Sequence, residues 1–248
     1  MAAPSDATFV VYMDLRTSGV VEYRDAATGS VVSRVTAQAG GSGGSACLDT
    51  HHKLVGASWR PFEAYLVNKG SVPGSLSARA ALADLQAAHT AWTDPFTTDC
   101  PSPGSSSYRA IYGGTTTAPP SLATLEFDGL NTVAFADLDE TVCAGAGVVA
   151  CVVAYSERAR FVEADLILER DLASQLGGDY SWTTAETTDA DADGGEIALV
   201  DVATHEFGHW AGLDHVEKSP ALTMYPSIHD GMQTLGLGDM KGLLALYR

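Results

Sequence analysis

The stretch His205-Glu206-Phe207-Gly208-His209-Trp210-Ala211-Gly212-Leu213-Asp214-His215 constrains this chain more than any other. Four residues separate His205 from His209, about one turn of an α-helix, so both imidazoles leave one face and can hold a single ion. Gly212 lets the backbone leave helical geometry without a Cβ penalty, and the chain can then swing His215 round as a third nitrogen ligand. Three protein ligands leave one position open, which is the arrangement of catalytic rather than structural zinc. Glu206 follows the first ligand directly and can serve as general base toward a metal-activated water. A bare His-Glu-x-x-His occurs by chance in many chains; the added glycine and third histidine are what make this one specific.

Met224 lies nine residues after His215, in Ala221-Leu222-Thr223-Met224-Tyr225-Pro226. The long histidine pattern with this methionine resembles the signature of the metzincin zinc endopeptidases, and its last part resembles the Met-turn of their matrixin branch, the matrix metalloproteases. Asn131-Thr132-Val133-Ala134-Phe135-Ala136-Asp137-Leu138 and Val162-Glu163-Ala164-Asp165 look like phrases of bacterial, secreted members. Gly238 to Tyr247 resembles the family's last helix.

The resemblance covers about residues 47–248 and implies an α+β, zincin-like catalytic domain. Its sheet would be five-stranded, mixed and twisted, with three helices including the one that carries the site. Met224 would pack beneath the histidines without binding metal. The strand matching Val148–Tyr155 forms the upper rim of the matrixin cleft, so Val148, Val149, Ala150 and Val152 become substrate-binding candidates, together with Tyr225, Pro226 and Ile228. Backbone groups on such an edge bind any extended peptide, whereas side-chain pockets choose its sequence.

Departures from the family pattern are informative too. Asp165 stands where many matrixins carry a histidine for a second, structural zinc. Ile228 stands where a tyrosine is common, which alters the wall of the specificity pocket. Asp239 remains alone of a usual aspartate pair, so a processed N-terminus loses its partner while Asp239 can still brace the Met-turn.

Composition bounds the rest. Thirty-one acidic and 14 basic residues give a net charge of −17, which argues against nucleic-acid or anionic-membrane partners. No apolar run approaches the roughly 20 residues of a membrane helix. The start, Met1 to Asp6, lacks the charged and apolar regions of an export signal, so secretion would require one already removed or not included. Cys47, Cys100, Cys143 and Cys151 are even in number without a Cys-x-x-Cys pair, which favours disulfides in an exported protein. Of the three pairings, Cys47–Cys100 with Cys143–Cys151 is preferred, the second clipping a short loop between two strands. The competing reading, Cys47 as a pro-segment thiolate on the metal, would leave three cysteines to pair.

Along the chain, Thr8–Leu15, Val20–Tyr23 and Ser30–Val35 read as short strands of a β-rich N-terminal segment, residues 1–37. That segment could be a pro-segment remnant, an accessory module or an extra edge of the main sheet. Residues 38–46 form a Gly/Ser linker by composition, and 47–248 the peptidase domain. Trp59–Asn68, Tyr108–Tyr112, Asn131–Phe135, Val148–Tyr155 and Phe161–Leu168 read as its five strands. Leu82, Leu85, His89 and Trp92 mark a helix within Leu76–Trp92, with His89 as a packed core residue. His51 and His52 fall in a polar loop. Asp189, Asp191 and Asp193 precede a glycine at alternate positions, as in a calcium loop, but loop position twelve is Val200; a plain polar loop explains the run nearly as well.

These readings converge on a secreted, monomeric zinc endopeptidase acting on protein or peptide substrates. The alternative is a catalytically silent, zinc-containing module for peptide recognition or adhesion, against which the intact Glu206 speaks.

Overall fold

The computed structural model describes residues 7–15, 20–24, 31–36, 46–60, 62–145, 147–185, 195–229 and 231–248. The three apolar runs near the N-terminus form β1 (Ala7–Leu15), β2 (Val20–Arg24) and β3 (Val31–Thr36). β2 and β3 make an antiparallel pair of their own. The Gly/Ser stretch, apart from Ala46, lies outside the described residues.

After β4 (Lys53–Leu54) come β5 (Phe62–Val67), α1 (Ala78–Thr90), β6 (Arg109–Thr115), β7 (Thr132–Ala136), β8 (Val148–Glu157) and β9 (Arg160–Glu169). Five of these strands build a mixed sheet in the order β6-β5-β7-β9-β8, and β1 extends it as a sixth strand beside β8. Pairing is parallel from β6 through β9 and antiparallel at β8. α2 (Leu172–Leu176), β10 (Ser181–Thr183) and β11 (Glu196–Ala198) then lead into α3 (Leu199–Ala211), β12 (Leu213–Asp214) and α4 (Leu237–Leu246).

The two-residue period of a strand explains β8. Its run Val-Val-Ala-Cys-Val-Val-Ala-Tyr is apolar throughout because both faces are covered. Ala150, Val152 and Ala154 face the main core, which the helices share, while Cys151, Val153 and Tyr155 enter a second cluster with Leu122, Leu138 and Ile167. At the far edge, β6 alternates exposed and half-buried residues, as an edge strand does.

α1 begins where the Ser77 side chain accepts the Ala80 N–H, and it buries Ala81, Leu85, Ala88 and His89. His89 is a core residue: its ring stacks on Phe207 at 4.2 Å and its Nε2 lies 2.6 Å from the Tyr108 hydroxyl. His51 and His52 are exposed.

Two disulfides staple the outer segments. Cys47–Cys100 ties the approach to β4 to the loop after α1, and Cys143–Cys151 ties the β7–β8 loop to β8. No free cysteine remains, so Cys47 is not a thiolate ligand. Among the described residues no helix is long and apolar enough to cross a membrane.

Candidate metal centre

α3 is held from several sides before any metal enters. The Trp92 indole N–H donates to the Thr204 carbonyl at 2.8 Å, and the Trp59 indole N–H donates to the Trp210 carbonyl at 2.7 Å. Tyr247 closes the end of the helix, donating its hydroxyl to the Ala211 carbonyl at 2.7 Å. Only glycine fits at 208: a Cβ there would overlap Met224 Sδ and lie 2.7 Å from Trp92 Cζ2.

Helical spacing puts His205 and His209 on one face, and Gly212 supplies the reversal. Its φ of 105° is open to glycine, and a Cβ would sit 2.5 Å from the Ala57 carbonyl oxygen. The Gly212 N–H donates to the His209 carbonyl, after which β12 pairs with β4 and Lys53 bridges to Asp214 at 2.8 Å. Val216 then donates to the Met224 carbonyl, so the chain returns beneath the helix with His215 turned inward.

The three Nε2 atoms converge to 3.0 Å for His205 to His209, 3.1 Å for His205 to His215 and 3.0 Å for His209 to His215. Backbone carbonyls set the tautomers. His205 Nδ1–H donates to the Thr223 carbonyl at 2.6 Å and His209 Nδ1–H to the Leu213 carbonyl at 2.9 Å. Each of those rings therefore turns an unprotonated Nε2 lone pair toward the same point. Lone pairs so close repel one another unless a cation lies between them, and one ion at the ~2.0–2.1 Å reach of Zn–N bonds touches all three. Among the described residues this triad is the one group of histidine, cysteine or carboxylate side chains close enough to hold a metal.

Met224 is 1% exposed, and its turn is braced from α4. The Asp239 carboxylate accepts the N–H groups of Thr223 at 2.9 Å, Met224 at 3.2 Å and Gly236 at 2.9 Å. Burial pushes its carboxyl above the ordinary range, and those donors act in the opposite sense. Asp239 thereby fixes the Thr223 carbonyl that orients His205.

The remaining sequence candidates separate. Val148, Val149, Ala150 and Val152 lie on β8 with buried side chains. Tyr225 and Pro226 are buried and Ile228 half-buried, following Met224 directly. Asp165 is not part of the metal-holding group and accepts the N–H groups of Leu122 at 2.9 Å and Thr132 at 2.7 Å. The calcium candidates Asp189, Asp191 and Asp193 lie outside the described residues. Sequence reasoning passed over Thr223 and Leu213 because they act through backbone carbonyls, and Trp59 and Trp92 because their donors look like ordinary core aromatics.

The matrixin family model matches residues 156–248, from the end of β8 through α3, the Met-turn and α4 to the last residue. A comparison with curated proteins found no match. The matched stretch contains the three histidines, Glu206, Met224 and Asp239, and the strands before it form the matrixin type of mixed sheet. Over residues 156–248, then, the chain is matrixin-like, and its histidine triad fits the catalytic zinc that the metalloendopeptidases of that family use.

Proposed function

We propose that the protein is an extracellular, monomeric endopeptidase in which Glu206 is the general base and β8 presents the substrate. Two disulfides suit an oxidising, extracellular setting. His205, His209 and His215 hold the zinc, which when bound supplies Lewis acidity that acidifies water and polarises the scissile carbonyl. The peptide lies extended, its main chain hydrogen-bonded to β8 along Val148, Val149, Ala150 and Val152. Tyr225, Pro226 and Ile228 line the opposite wall and select the side chain after the scissile bond. Glu206 takes the proton of the attacking water and returns it to the leaving amine nitrogen as the C–N bond breaks.

The observation that carries this reading is the convergence of three Nε2 atoms within 3.1 Å on a helix that also presents Glu206. Glu206→Ala should slow casein cleavage by about 10²–10⁴-fold while zinc content stays at that of the parent. A Glu206→Ala protein that cleaves casein at the parental rate would sink the mechanism.

A further inference from the structure

We propose that β1 is an internal plug: it occupies the peptide-binding edge of β8, and the full chain becomes an efficient peptidase only when β1 leaves. The inference rests on the peptidase reading above and concerns the regulation of that same site.

β8 has two edges. One is taken by β9, from Ala150 opposite Leu168 to Glu157 opposite Arg160. The other is the edge an extended peptide would join, and β1 fills it from end to end. Ala7 lies opposite Glu157, Val10 opposite Ala154, Val11 opposite Val153, Met13 opposite Cys151 and Leu15 opposite Val148, all antiparallel. A backbone N–H or C=O on that edge can bond β1 or a substrate main chain, not both at once. Competition is therefore one for one along the strand.

The side chains at the metal centre are enclosed as well: His205, Glu206, His209 and His215 are each at most 1% exposed. A hydrolytic site must open to its substrate, and the strand on its rim is the element that could move without unfolding the core. The five-stranded sheet β6-β5-β7-β9-β8 is complete without β1. Closure does not use a thiolate on the metal, since all four cysteines are in disulfides. A tethered strand also competes at an effective concentration of about millimolar, far above a typical protein substrate.

Two adjacent prolines in β1 test the proposal in the full chain. Neighbouring N–H groups on a strand point to opposite sides, so Val10→Pro/Val11→Pro removes a ladder donor whichever of the two faces β8. Thr8→Pro/Phe9→Pro attacks the same ladder at its other half. Fluorescein-labelled casein is the probe, read as cleavage rate in the parent background and as binding by anisotropy in the Glu206→Ala background. Each proline pair should raise the cleavage rate and tighten binding by about tenfold or more, with zinc content unchanged. Cleavage and binding equal to the parent in both pairs would overturn the plug while leaving the peptidase reading intact. Tighter binding without cleavage in any Glu206-intact chain would do the reverse, and no casein binding by any variant would remove both.

Discussion

At Gly208 a single hydrogen in place of a methyl group lets three elements meet. The residue sits between the two metal-binding histidines of α3, with Met224 Sδ from below and the Trp92 ring from the side. Neither neighbour has room to retreat: Met224 is 1% exposed and Trp92 fully buried, its indole held by the Thr204 carbonyl. Gly208→Ala therefore overpacks the floor of the site and should cost about 1–3 kcal/mol, seen as a lowered urea midpoint. Because Gly208 lies on α3 between His205 and His209, a shift of the helix there should lower zinc affinity as well. An unchanged midpoint would mean the floor is softer than its packing indicates. The same scale explains what residue identity conceals. His205 and His209 stand out in the sequence through their spacing, but the Thr223 and Leu213 carbonyls that orient them belong to residues that could be almost anything.

Elements are tied together here by buried carboxylates, and this sets the pH response. Asp165 on β9 reaches the N–H groups of Leu122 and of Thr132, the first residue of β7. Burial raises its carboxyl from 3.8 to about 8, outweighing the two backbone donors that lower it. The folded chain thus keeps a proton there that the unfolded chain releases, and the stability this contributes is lost as pH rises from about 4 to 8. His89 works the other way. Burial lowers it from 6.5 to about 3, so its contribution is present above 6.5 and lost as pH falls below that value. Glu163 and Glu169 on β9 carry burial-raised carboxyls of the same sign as Asp165. The urea midpoint should therefore fall between pH 6.5 and 8, and Asp165→Asn should flatten that fall, though from a lower starting stability. A midpoint that rises over this window would contradict the assignment.

Strand by strand, much of this architecture is legible in the sequence. Phe161–Leu168 and Asn131–Phe135 reappear as β9 and β7 with boundaries shifted by a residue, because apolar runs between glycines and polar loops report strands locally. The three N-terminal runs are equally visible as strands. What periodicity leaves open is which edge each one joins, and β1 finds its partner in β8, more than a hundred residues away. Asp239 is intermediate: the family resemblance marks it as a brace for the Met-turn, and the structure adds Gly236 to the groups it holds.

At the scale of the whole molecule, a mixed sheet and two disulfides exist around one short helix and the turn beneath it. The Cys47–Cys100 bridge anchors the chain before β4, and β4 in turn pairs with β12 between the second and third histidines. Sheet, helix, glycine reversal and Met-turn all act on one point, where three imidazole nitrogens face each other within 3.1 Å. We infer that this point holds a single zinc on which peptide hydrolysis depends. The most direct test is a titration of the chelator-stripped full chain with Zn²⁺ while casein cleavage is followed. Cleavage should be absent without zinc and rise to a plateau at one equivalent per chain; full-rate cleavage by the zinc-free protein would contradict the account.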